Sequence, residues 1–194
     1  MLAMTVNACE LEAGPNARFC RSSKGGGRTH VMENLSSYRA ILANSVVFQR
    51  LGPNELDLVL AASQFIDAKP GQLLLSEGSM GDGLYIILEG EIEVFLPERA
   101  ASAAHRPTPV RLNRLGLGRC FGEYGVVDDQ PSSASAAALG PARLCFLPKA
   151  QFRRLLERND HVAQIVYANL LRFLIIRLRS KDKELDLIVL DDKR

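Results

Sequence analysis

A mainly β domain flanked by helices is the fold class this sequence predicts, and three observations predict it. Between residues 64 and 147 short apolar runs alternate with glycines at 71, 78, 81, 83, 90, 116, 118 and 140, the texture of short strands joined by turns. On either side of that stretch apolar residues recur every three or four positions, the period of helices. The length, 194 residues with 47% hydrophobic side chains, suits one ordinary domain with a short tail and excludes wholesale disorder.

The tail comes first. Residues 1–31 contain a Gly25-Gly26-Gly27 run, no apolar period, and Arg18, Arg21, Lys24 and Arg28 against Glu10 and Glu12, so the whole formal charge of +2 lies there. Such a segment cannot bury enough surface to offset its ordering entropy and is expected to be flexible. Residues 32–194 are expected to fold as one domain. A first helix is predicted over 36–51 from Tyr38, Ile41, Leu42, Val46 and Phe48, stopped by Gly52-Pro53. A second begins at Asn54, with Glu55 and Asp57 in its dipole-favoured first turn. Strands are predicted at 65–66, 72–75, 84–88, 91–96, 110–115, 134–139 and 143–147, making a sandwich or small barrel over about 64–147. Residues 99–109 read as a polar loop. Helices are expected over about 148–190: Pro148 opens an amphipathic helix at 149–158 through Phe152, Leu155 and Leu156. The last helix is long, and Tyr167, Leu171, Leu174, Leu178, Lys181, Leu185 and Ile188 form a heptad seam, widened by Val166, Leu170 and Phe173. That seam predicts a homodimer through the C-terminal helix.

Composition removes several function classes. Near-neutral charge argues against a protein living on phosphate backbones. No uninterrupted apolar stretch reaches the roughly 20 residues of a bilayer span, so no membrane span is expected. Cys9, Cys20, Cys120 and Cys145 show no close pairing and read as reduced thiols of a cytoplasmic protein. His30, His105 and His161 have no spacing that suggests a triad or metal site, and the adjacent Asp128-Asp129 is no acid/base pair. Neither metal nor enzyme activity is therefore expected. Acidic residues outnumber basic ones over 32–98 and the reverse holds over 99–158, a bias that could serve a small anion.

One motif carries binding chemistry: Phe121-Gly122-Glu123-Tyr124-Gly125, then Pro131-Ser132-Ser133-Ala134-Ser135. Gly122 permits backbone to approach an anion closely, and the turn opening at Glu123-Tyr124 presents free N–H groups. With the upstream Glu77-Gly78-Ser79-Met80-Gly81-Asp82-Gly83 and Glu89-Gly90-Glu91-Ile92-Glu93-Val94, this motif resembles the cyclic nucleotide-binding domain family over about residues 36–180. The family includes the catabolite activator protein and the regulatory subunits of cAMP-dependent protein kinase.

The resemblance implies an eight-stranded, jelly-roll-like β-roll with N-terminal helices, a long C-terminal helix and a phosphate cassette between strands six and seven. It implies cAMP or cGMP as ligand, Glu123 accepting the ribose 2′-OH, and small Ser133, Ala134 and Ser135 letting the ligand sit against the strand. Arg177 falls where the closing helix faces the base. The departure is Ser132, where family members that bind cyclic nucleotides commonly carry a phosphate-pairing arginine; Arg111 or Arg119 is a candidate substitute. The implied function is a stand-alone sensor signalling through its C-terminal helices to an effector protein. Too few residues follow the long helix for a helix-turn-helix, so DNA binding by that module is not expected. The alternative is a degenerate, ligand-independent dimer or scaffold that has lost nucleotide binding.

Overall fold

A computed structural model of the chain describes residues 28–98 and 106–191, and the side chains of 36–98 and 106–183. Residues 1–27 of the expected tail and most of the 99–109 loop lie outside the described residues. The elements are α1 (Arg28–Asn44), α2 (Pro53–Ala62), β1 (Gln64–Ala68), β2 (Leu73–Leu75), β3 (Gly83–Glu89), β4 (Ile92–Leu96), β5 (Val110–Leu115), β6 (Cys120–Phe121), α3 (Glu123–Val127), β7 (Ser135–Ala138), β8 (Ala142–Pro148), α4 (Lys149–Arg158) and α5 (Asp160–Asp191). The first helix thus begins at Arg28, inside the segment expected as tail.

That helix also ends at Asn44, earlier than the expected 51, because polar side chains take over its hydrogen bonding. Asn44 Nδ2 donates back to the Ala40 carbonyl at 2.9 Å, and the Ser45 hydroxyl donates to Leu42 O at 2.8 Å while accepting from the Phe48 N–H at 3.3 Å. Asn169 of α5 donates to the carbonyls of Val47 and Gln49 at 3.0 and 2.7 Å, holding the new turn against the domain. Val47 and Phe48 are still fully buried, so the apolar pattern was real although the backbone left the helix.

The strands form two antiparallel sheets of four, ordered β1-β8-β3-β6 and β2-β7-β4-β5. With the flanking helices this is the β-roll that the resemblance implied. Two cores follow from it. Between the sheets lie Tyr85, Ile87, Ile92, Phe121, Ala136 and Leu144. Between the first sheet and the helices lie Leu84, Ile86, Leu88, Phe48, Phe152 and Val166. Strand β3 is covered on both faces, which is why 84–88 reads as an unbroken apolar run. The short β6 escaped prediction because two residues carry no period.

Helix α5 packs one face, Val162, Val166 and Leu170, into the helical core and leaves Tyr167, Leu171, Ile175, Ile176 and Leu178 exposed. Leu185 and Ile188, the end of the expected seam, lie outside the described side chains. By length and composition alone the helix over Asp160–Lys183, within which an 18-residue window has mean hydropathy 1.3, is long and apolar enough to cross a membrane. The same helix is docked on the domain through its buried face.

Candidate functional site

The site grows from the end of β6. Tyr85 and Phe121 pair across β3 and β6, their rings stacked at 4.7 Å with planes 2° apart. The chain then turns at Gly122, which has φ +80°; a Cβ there would lie 2.5 Å from the Gly83 carbonyl oxygen. Glycine is therefore required by the fold itself, because β6 must pass backbone to backbone against the start of β3.

Glu123 opens α3 with its side chain inward, 4% exposed. Its Oε1 accepts from Nη1 of Arg177, which reaches down from α5, so residues 54 apart in sequence join into an ion pair. Burial raises the carboxyl pKa above the usual range, opposed by the Arg177 charge and a backbone hydrogen bond. The guanidinium also lies 5.5 Å from the Tyr124 ring centroid and 5.2 Å from that of Phe173. Glu123, Tyr124 and Arg177 are thus one cluster, and it connects the cassette to the long helix.

The serine half of the motif is tied to the β2–β3 loop. Pro131 bridges to Met80, the Ser132 N–H donates to Ser79 O and the Gly78 N–H to Ser132 O, both at 2.8 Å. Ser132 and Ser135 are buried, Ala134 is half-buried and Ser133 is exposed. The Ser135 hydroxyl accepts from the Glu77 N–H at 2.9 Å. Gly125 and Gly81 let α3 and the loop meet: a Cβ on Gly125 would lie 3.0 Å from the Gly81 Cα.

Neither arginine considered as a substitute at Ser132 faces it. Arg111 pairs with Glu93 on strand β4, and Arg119 lines a cavity of about 310 Å³ beside α1, with Ile41, Val46 and Leu117. The cations that the structure brings near the cassette were invisible in sequence. Arg106 pairs with Glu77 at 3.1 Å, and Lys149 and Arg153 of α4 both bind Asp129, whose carboxyl they hold below the usual range. Asp129 sits at φ 57° after α3, so this clamp fastens the cassette loop to α4. Partners 20 to 29 residues apart leave no local signature. Among the described residues no group of three His, Cys, Asp or Glu could hold a metal ion. The Cys120 and Cys145 thiols are free and buried, their pKa values pushed up to about 12 and about 11 chiefly by desolvation.

The arrangement offers a buried carboxylate to a hydroxyl donor, serine hydroxyls beside a strand end, and an aromatic–guanidinium cluster that joins α3 to α5. A family profile for the cyclic nucleotide-binding domain matches residues 65–159. The chain is 32% identical over 153 residues to a cyclic AMP receptor protein of Thermus thermophilus, covering 79% of this chain and 66% of that one. It is 25% identical over 140 residues to a cAMP-dependent protein kinase regulatory subunit of Eremothecium gossypii, covering 72% of this chain and 28% of the relative. The crystal structure of Thermus thermophilus catabolite activator protein superposes with a TM-score of 0.63 at 31% identity, over 74% of this chain and 63% of that one. A cyclic nucleotide-binding domain from Methylobacillus flagellatus shares the fold with a TM-score of 0.66 at 24% identity, over 78% of this chain and 82% of that one. The chain spans less than two thirds of the length of the first two relatives.

Proposed function

Residues 65–159 belong to the cyclic nucleotide-binding domain family, and on that premise we propose that the chain is a non-enzymatic regulatory sensor for cAMP or cGMP. The observation that carries the reading is the buried Glu123 carboxylate joined to Arg177 of α5. In this reading a ribose 2′-OH donates to Glu123 and competes with the guanidinium for its oxygens. Arg177 is then released to stack on the base, and α5 shifts with it. Ligand biases an equilibrium between two helix positions, a coupling typically worth about 1–3 kcal/mol. Phe121, Gly122 and Tyr124 shape the cassette, while Ser132, Ser133, Ala134 and Ser135 line the phosphate end.

The output is proposed to pass through a second copy of the chain and an effector protein. Tyr167, Leu171, Ile175 and Leu178 are exposed along one side of α5 and offer the apolar seam a homodimer needs. The free thiols Cys120 and Cys145 suit the reducing cytoplasm. A second reading, a ligand-independent dimer or scaffold, is favoured by Ser132. A serine supplies no charge, and losing one charged hydrogen bond costs about 1.5–3 kcal/mol, roughly ten- to hundredfold in affinity.

A thermal-shift panel with cAMP, cGMP and a cyclic dinucleotide separates the two. Ligand at about 100 times Kd stabilises by about 2.7 kcal/mol, a rise in Tm of about 5–10 °C for a chain of this size. No shift with any of the three at millimolar concentration would leave only the scaffold.

A further inference from the structure

We propose that Arg106 supplies the positive charge that the cassette lacks at Ser132, meeting the ligand's phosphate from the β4–β5 side of the roll. The inference rests on the sensor reading above and adds the residue that makes it electrostatically workable.

The argument begins with register. Strands β4 and β7 pair antiparallel with Ile92 opposite Ala138 and Phe95 opposite Ser135. The ladder stops there: Pro97 follows the end of β4, and Ser133 and Ala134 form a bend just before β7. Arg106 Nη1 donates to the Pro97 carbonyl at 2.8 Å, so the guanidinium sits just past the end of β4 that pairs with Ser135 of β7. A second path reaches the same place. Arg106 is paired with Glu77 at 3.1 Å, and the Glu77 N–H donates to the Ser135 hydroxyl at 2.9 Å. Two connections, one through the end of β4 and one through the β2–β3 loop, set this arginine on the side of the roll where Ser135 lies, three residues after Ser132.

Its burial and remaining valence suit an anion. The side chain is 17% exposed, so its charge acts through a medium less screening than bulk water. A guanidinium carries five N–H donors in a rigid fork. Nη1 serves Glu77 and Pro97, and Nη2 reaches Glu77 only at 3.5 Å. Among the described residues the Nε–H has no acceptor. Glu77 then acts as a place-holder that keeps the guanidinium positioned until a phosphate shares it. The other cations of the region are committed elsewhere: Lys149 and Arg153 to Asp129, and Arg111 to Glu93.

The test is calorimetric titration of cAMP into the full chain, the Arg106→Gln variant and the double variant Arg106→Gln/Ser132→Arg, each with its Tm recorded. Arg106→Gln is expected to weaken cAMP binding about ten- to hundredfold, with a fall in Tm because Glu77 loses this ion pair. An arginine restored at 132 should recover most of the loss. If the parent binds cAMP and Arg106→Gln binds it equally well, the assignment of Arg106 is wrong and the sensor reading stands. If affinity falls together with Tm and Ser132→Arg brings nothing back, Arg106 is only a structural brace. A parent that binds neither cAMP nor cGMP overturns the sensor reading and this assignment with it; one that binds only cGMP carries the same comparison with cGMP.

Discussion

Removing Arg177 tests the junction between cassette and helix, and its cost should depend on pH. Two unit charges about 4 Å apart at an effective dielectric near 20 attract by about 4 kcal/mol. The Arg177 side chain is 40% exposed, so water and salt recover much of that, leaving a net loss of about 1–2 kcal/mol for Arg177→Ala. The contacts with Tyr124 and Phe173 add about 0.5–1 kcal/mol that does not depend on pH. The sign of the pH term follows from linkage. Burial raises the Glu123 pKa, so its folded form holds a proton that the unfolded chain gives up near 4.5, and stability falls as pH rises through that window. Arg177 limits the fall, and its removal extends it. The variant should therefore lose about 2 kcal/mol at pH 7.5 but only the smaller stacking contribution near pH 4, where both proteins carry a neutral carboxyl. Urea unfolding followed by circular dichroism measures this, since the chain contains no tryptophan for fluorescence. Equal losses at the two pH values would show that the Glu123 carboxylate is not what Arg177 serves. In the Glu123→Gln background the pH-dependent part should vanish.

Three further outcomes are expected. Gly122→Ala should destabilise by more than about 2 kcal/mol, since left-handed backbone alone costs a side chain about 1–2 kcal/mol and the new methyl meets the Gly83 carbonyl; an unchanged urea midpoint would contradict the turn geometry. Ser132→Arg should tighten cAMP binding about ten- to hundredfold, and unchanged affinity in a folded variant would place the phosphate elsewhere. Leu171→Asp with Leu178→Asp should convert a dimer to a monomer in sedimentation analysis, because both side chains are exposed on α5 and need a partner to cover them; an unaltered profile would remove the helix seam as the dimer contact.

Much of the fold was legible because its physics is local. Strand β3 announced itself as an apolar run since both its faces are covered, and α4 through Phe152, Leu155 and Leu156 on one side. The end of α1 was not legible: it depends on the hydroxyl of Ser45 and on Asn169, a residue more than 120 positions away. The site divides the same way. The Phe121-Gly122-Glu123 cassette and the serines after Pro131 could be recognised as strings, and Arg177 could be placed by its position on the closing helix. Its partner could not, because the family resemblance puts it over a base whereas the structure pairs it with Glu123. Arg106 and the Asp129 clamp arise from tertiary pairing between segments whose spacing carries no period. The role of Gly122 also moved: its freedom is needed for β6 to cross β3, whatever the ligand.

The account turns on whether Glu123 receives a cyclic nucleotide. Calorimetric titration of cAMP and cGMP into the full chain and into Glu123→Ala, side by side, decides it. The account predicts saturable heat with one of the two nucleotides in the parent chain, and its loss or severe weakening in the variant. No heat at millimolar nucleotide, or the same isotherm in both proteins, would contradict it.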